Sequence, residues 1–189
     1  MSKSVLITGS TSGIGLGIAE VFAKNGYQIM FHGLEVNGAE IASNIGKKYK
    51  VNTAYSNANL LDSTAITQLI EETRRQLGSI DVLINNAGIQ YVSPIEDFPN
   101  EMYEKIIAIN MNAVFYACKA AWKHMKKQKF GRIINISSVH GIRASEFKSA
   151  YVTAKHGVVG MTKVMALEGA SYNITCNAFC SGYVKTPLV

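Results

Sequence analysis

Tyr151 and Lys155 form the pair with the clearest chemical use in this sequence. Four residues apart, on a helix they share one face, a turn from each other. A phenol beside an ammonium can exchange protons near working pH, because nearby positive charge favours phenolate. Such spacings are common on solvated helix faces, so the neighbourhood decides. Ser138 stands thirteen residues before the tyrosine, just after the apolar run Ile133, Ile134 and Ile136. That run reads as a strand buried on both faces, and its carboxyl end is where open α/β sheets bind ligands.

A second constellation lies near the N-terminus. Ser4–Thr8 reads as a strand, followed by Gly9, Gly13 and Gly15 and then a helical pattern through Ile18, Ala19, Phe22 and Ala23. Strand, glycine-rich turn and helix N-terminus make a cradle for a pyrophosphate, with close backbone approach and free N–H donors. The spacing G-x-x-x-G-x-G is a relative of the common dinucleotide fingerprint, and the Lys-Ser/Thr of a nucleotide-hydrolysing loop is missing. A second strand, Tyr27–Phe31, runs to His32-Gly33-Leu34-Glu35, where a dinucleotide's adenosine ribose would meet the chain. No Arg or Lys occurs between Lys24 and Lys47 to pair with a 2′-phosphate, so NAD is expected rather than NADP. Glu35 is an acid placed slightly beyond the strand tip.

These residues need a scaffold, and the pattern supplies one. Further helices are expected over Ala39–Lys48, Ser63–Leu77 and Glu101 to about Lys127 (as one or two), with Ser63 as an N-cap and Gly78 as a stop. Further strands are expected at Val51–Asn57, Asp81–Asn85, Gly131–Ile136 and Ile174–Phe179. Strands alternating with helices predict a three-layer α/β fold, a doubly wound parallel sheet of Rossmann type, as one domain over residues 1–189.

The chain has 189 residues, 48% of them apolar, enough for a sizeable core. It has no apolar run long enough to span a bilayer and no signal peptide, so a cytoplasmic protein without membrane partners is expected. Cys118, Cys176 and Cys180 sit in apolar segments as reduced thiols; no second Cys/His pair at ligand spacing accompanies them, and no metal is expected. The net charge of +6 gathers at Lys123, Lys126, Lys127, Lys129 and Arg132. A helix carboxyl end favours such cations, so this reads as a solvated helix end and not as a nucleic-acid site.

Thr8-Gly9-x-x-x-Gly13-Ile14-Gly15, Asn85-Asn86-Ala87-Gly88, Asn110, Ser138 and Tyr151-x-x-x-Lys155 together make the chain resemble the short-chain dehydrogenase/reductase family over nearly its whole length. The resemblance implies an NAD(P)-dependent oxidoreductase, commonly a homotetramer. It implies that Tyr151 exchanges the substrate hydroxyl proton and Lys155 lowers the tyrosine pKa and holds the nicotinamide ribose. Ser138 would bond the substrate oxygen and Asn110 would position a relay water. Cofactor contacts are implied at Gly9, Thr11, Ser12, Gly13, Ile14, Gly15, Asn59, Leu60, Asn86, Ala87, Gly88, Tyr151, Lys155, Gly182, Val184 and Thr186.

Gln90, His140 and Lys148, with strings such as NNAGIQ, IEDFP and KSAYV, further resemble a bacterial subgroup acting on D-3-hydroxybutyrate. The resemblance implies that these three grip the carboxylate of a small hydroxy acid while NAD takes the hydride. A cation and two hydrogen-bonding side chains near the catalytic serine suit that task. Two alternatives stay open: a reductase of another small ketone or 3-ketoacyl substrate, and a non-catalytic cofactor-binding subunit. The chain departs from the pattern at Asn59, where an aspartate is usual, and at Ser181, where a proline is usual. The subgroup also continues beyond Val189 with a strand and a substrate lid, which are expected to be lacking here. His124 and His156 read as structural.

Overall fold

The computed structural model describes residues 2–184. Its six strands are β1 (Ser4–Ile7), β2 (Gln28–His32), β3 (Thr53–Ser56), β4 (Val82–Asn85), β5 (Gly131–Ile136) and β6 (Ile174–Phe179). All pair in parallel, in the order β3-β2-β1-β4-β5-β6. Six α-helices alternate with them: α1 (Gly13–Lys24), α2 (Gly38–Tyr49), α3 (Ser63–Leu77), α4 (Asn100–Ile107), α5 (Ala113–Gln128) and α6 (Ser149–Gly169). The expected doubly wound sheet is therefore present.

Strand β1 shows why the sheet needs helices on both faces. Val5 and Ile7 pack with Ala19, Ala23, Ala42 and Ile45 of α1 and α2, whereas Leu6 faces Ile66, Leu69 and Ile70 of α3. All three β1 residues are fully buried, each removal of such a side chain from water contributing about 1.5–3 kcal/mol. Alternate residues thus build two cores, and the strand reads as a continuous apolar run.

Two local details differ from expectation. Ser63 is the first residue of α3 and not its cap; the Asp62 side chain accepts from Thr64 N at 2.8 Å and caps the helix. Asp and Ser are comparable caps, so adjacent candidates are not separable by type. Gly78 does end α3, at φ 84°. The stretch after Asn100 is one path broken by a π-helical turn at Ala108–Asn112, which separates α4 from α5 and carries buried Asn110.

In this strand order the chain turns outward in opposite directions from β1 and β4. The crevice at their carboxyl ends is the topological switch point, where ligands bind in open α/β sheets.

Candidate active site

The glycine-rich turn between β1 and α1 is held from three sides. Gly9 adopts φ 63° and Gly13 φ 52°, conformations open to glycine at little cost. A Cβ on Gly15 would collide with the Gly9 carbonyl, so the turn is tight because that residue is glycine. Thr8 Oγ1 accepts from the backbone N–H groups of Asn86 and Ala87 at 3.0 and 3.1 Å. Asn86 Nδ2 in return donates to the carbonyls of Thr8 and Gly9 at 2.9 and 3.0 Å. The two motifs at the switch point thus form one hydrogen-bonded unit.

Ser12 precedes α1 without capping it; its hydroxyl donates to Glu35 Oε1 at 3.0 Å, and Thr11 Oγ1 donates to Glu35 Oε2. The first N–H groups of α1 are therefore left without a side-chain acceptor and with the positive end of the helix dipole, a setting that suits a phosphate group. Partial burial pushes the Glu35 carboxyl up, but the Thr11 and Ser12 hydroxyls and nearby backbone N–H groups outweigh it and hold it below its usual value. A carboxylate thus sits at the end of the cleft beside the glycine-rich turn, a group able to accept from a hydroxyl and to repel a phosphate.

His32, which the sequence did not single out for a role, braces the same end. It is buried, its Nδ1 accepts from Gly9 N at 3.2 Å, and its Nε2 then donates to the Ala58 carbonyl at 2.9 Å. Burial holds its pKa below 6.5. A histidine directly after an apolar strand run was the only available signal. Asn59 lines the cleft with Leu60, its Oδ1 accepting from Leu61 N at 3.0 Å, which leaves one lone pair of that oxygen able to accept.

The catalytic candidates converge at the other end. Ser138 and Tyr151 line the same end of the cleft. Lys155 is 5% exposed and its Nζ donates to the Ile136 carbonyl at 2.8 Å, while Ser137 Oγ donates to the Lys155 carbonyl at 3.2 Å. These two bonds lock α6 against the end of β5. Burial pushes the Lys155 ammonium down to about 8, slightly offset by Cys180. The expected lowering of the Tyr151 pKa is not found. Burial raises it, and the nearby Ser138 hydroxyl offsets this only in part. The reason is geometric: Lys155 Nζ lies 5.5 Å from the centre of the tyrosine ring and is aimed at a carbonyl.

Asn110 is 1% exposed, and its side chain pairs with the Ile89 peptide, accepting from N at 2.9 Å and donating to O at 2.8 Å. The π-helical turn delivers this amide to the loop after β4, and a Cβ on Gly88 would stand 3.3 Å from its oxygen. Asn110 is thus first a brace for that loop. His140 is buried with both ring nitrogens engaged, Nδ1 with Ser138 Oγ at 3.2 Å and Nε2 with Ser145 Oγ at 2.8 Å. A carboxylate could reach that ring only by displacing Ser145.

One cleft of about 640 Å³ joins the two ends. Gly9, Ser12, Gly13, Ile14, Asn86, Ala87 and Gly88 line it, as do Gln90, Lys148, Ser138, His140, Tyr151, Lys155, Gly182 and Val184. Thr11, Gly15 and Asn110 stand behind this lining, and Thr186 lies outside the described residues. Ser181, in the unusual position, accepts from Val139 N at 2.7 Å through its carbonyl, a bond any residue type provides. Lys148 Nζ lies 5.6 Å from the Tyr183 ring centre, the charge directed over an aromatic face at the cleft mouth. His124 and His156 are remote from the cleft, bonded to Glu71 at 2.8 Å and to the Val152 carbonyl at 3.0 Å.

A family model for short chain dehydrogenases matches residues 3–189. The chain belongs to the short-chain dehydrogenase family. It is 47% identical to a D-beta-hydroxybutyrate dehydrogenase of Cupriavidus necator, over 99% of this chain and 72% of that one. A D-beta-hydroxybutyrate dehydrogenase of Rhizobium meliloti is 44% identical over 100% of this chain and 74% of its own length. Among solved structures, levodione reductase superimposes with a TM-score of 0.94 at 33% identity, covering 99% of this chain and 74% of that one. The protein is thus a short-chain dehydrogenase-type oxidoreductase on a Rossmann-like fold. Among the described residues no helix is long and apolar enough to cross a membrane.

Proposed function

We propose that this short-chain dehydrogenase oxidises (R)-3-hydroxybutyrate to acetoacetate with NAD, reversibly. The observation that carries the reading is Lys148, which lines the cleft that also holds Ser138 and Tyr151 and has no carboxylate partner among the described residues. A half-buried cation lining the same cleft as the reacting hydroxyls fits a substrate that carries a carboxylate as well as its alcohol. The two hydroxybutyrate dehydrogenases among the relatives support the same substrate. For the cofactor, the uncapped α1 terminus and glycine turn suit a pyrophosphate, and the Glu35 carboxylate favours NAD over NADP.

NAD, when bound, supplies the hydride acceptor; the protein's part is orientation and proton transfer. Tyr151 takes the proton of the substrate hydroxyl, and Ser138 donates to the same oxygen as negative charge grows on it. Lys155 supplies positive charge behind the tyrosine, and Gln90 and Lys148 hold the carboxylate. We further propose a homotetramer, with exposed apolar residues of the outer helices as contact surface.

The test is NADH formation from NAD and either hydroxybutyrate enantiomer, with NADP, Tyr151→Phe and Lys148→Ala in parallel. Turnover of the (R) acid with NAD alone is expected, abolished in Tyr151→Phe with NADH binding retained. Lys148→Ala should raise KM about tenfold or more, the effect of losing a charged hydrogen bond. Normal KM in Lys148→Ala, or better turnover of a neutral ketone than of acetoacetate, would overturn the substrate assignment.

A further inference from the structure

We infer that the backbone bond between Ser93 and Phe147 straps together the two loops that carry Gln90 and Lys148, and that Phe147 is thereby a positioning residue for the substrate carboxylate. The inference rests on the proposed grip of that carboxylate by Gln90 and Lys148.

Gln90 and Lys148 line one cleft but come from different loops, one after β4 and the other before α6. Two side chains that share one small anion must each be held to within about 0.5 Å. Among the described residues a single hydrogen bond joins the two loops, from Ser93 N to the Phe147 carbonyl at 3.0 Å. Lys148 follows that carbonyl directly, and Gln90 precedes Ser93 by three residues. The start of the first loop is pinned separately, by Asn110 at the Ile89 peptide, so Gln90 lies between two fixed points. Lys148 is fixed on its other side by its own carbonyl, which accepts from Val152 N at 2.9 Å and opens the ladder of α6.

The strap is built on an unusual backbone. Phe147 adopts φ 63°, in the left-handed region, where a Cβ crowds the neighbouring carbonyl and a bulky residue is rarely found. In this conformation the chain enters α6 with the Phe147 carbonyl outside the helix ladder and turned to Ser93. Core packing does not account for it, because Phe147 is 52% exposed and belongs to neither buried core. Strain of this kind persists only where the surroundings over-determine it. Here the bonds of Lys155 and Ser137 lock α6 against β5, and the Ser93 N–H holds the residue at the helix entrance. Glycine takes this φ without cost and asparagine with little, whereas a β-branched residue resists it.

Three substitutions separate the backbone of Phe147 from its ring. Phe147→Gly and Phe147→Asn remove the ring and keep the conformation; Phe147→Val opposes the conformation. Phe147→Val should raise KM for the hydroxy acid about tenfold, with kcat and KM for NAD within about twofold, while the other two keep the wild-type KM. Equal rises in all three would assign the effect to the ring, and a loss of kcat or NAD affinity in Phe147→Val would make it a general loosening. Either result overturns the inference, as does an unchanged KM in Phe147→Val. Hydrogen exchange read by mass spectrometry follows the strap without substrate. Within residues 90–96, among the described residues, Ser93 has the only backbone N–H with an acceptor. One slowly exchanging amide is therefore expected there in the wild type, Phe147→Gly and Phe147→Asn, and none in Phe147→Val. A wild-type segment without a slow amide overturns the inference whatever the substrate proves to be. The expected exchange pattern without hydroxybutyrate turnover counts against the substrate assignment alone and leaves the strap standing.

Discussion

Lys155 has to carry charge in a place that resists it. Its ammonium is 5% exposed, has one backbone acceptor in Ile136, and is pushed by burial from 10.5 down to about 8. Because the folded-state pKa lies below the unfolded value, the unfolded chain binds more protons between about pH 8 and pH 10.5, and folding stability rises with pH across that window. Below it the lysine is charged in both states and its full burial cost, of order 3 kcal/mol, is present. Lys155→Met removes that cost and leaves the Ile136 carbonyl without its donor, a loss of about 1–3 kcal/mol. The variant is therefore expected to be no less stable than wild type at pH 7, while losing activity. Thermal melts from pH 7 to 10 check it: the wild type should gain relative to Lys155→Met as pH rises. A variant several degrees less stable at pH 7 would show that the ammonium's interactions outweigh its desolvation.

At the scale of elements, the end of β2 braces the glycine-turn end of the cleft through His32. Its neutral ring accepts from Gly9 N and donates to Ala58 O, tying the glycine turn to the loop after β3. Burial holds the folded pKa below 6.5, so the unfolded chain takes up the proton first as pH falls, and this contribution to stability declines below about pH 6.5. His32→Gln, which cannot titrate, should therefore show a stability deficit at pH 7.5 that narrows toward pH 5, read from paired melts; a deficit independent of pH would refute the neutral brace. His32 also marks where the sequence stops being legible. The strand and helix order was readable because β1, β4 and β5 are apolar runs and α3 has a clear periodicity, and the glycine, serine, tyrosine and lysine positions followed from spacing. The brace was not, since nothing local tells a histidine at a strand end which carbonyl lies opposite. The π-helical turn at Ala108–Asn112 was equally hidden: its residues suit an α-helix, and only the pairing of Asn110 with Ile89 shows why the ladder is broken there. Spacing brought Tyr151 and Lys155 onto one face, yet could not show that the ammonium turns toward Ile136, which is why the expected effect on the tyrosine failed.

For the whole molecule, the two sides of the sheet differ in what their outer helices leave in water. Helix α6 is 21 residues long, buries Ala150, Ala154, Val158 and Met165, and still leaves Leu167 82% and Val164 55% exposed. On α5 the neighbouring rings of Phe115 and Tyr116, 5.8 Å apart, are 44% and 37% exposed, and Tyr103 of α4 is 40% exposed. Large apolar side chains clustered on helices of one layer are a cost to a monomer and a ready surface for a second copy of the same chain. The proposed homotetramer uses this layer: residues presented by a two-fold pair of α5 and α6 faces meet their own equivalents, so one substitution alters both sides of the contact. Phe115→Glu with Leu167→Glu is therefore expected to lower the mass in sedimentation equilibrium to dimer or monomer. The fold, judged by circular dichroism, should be retained, because neither side chain belongs to the two buried cores. A wild-type protein that sediments as a monomer at micromolar concentration, or a double variant with unchanged mass, would remove α5 and α6 as the contact surface. In that second case the contact would have to come from the face carrying α1 and α2, where Val21 is 61% exposed.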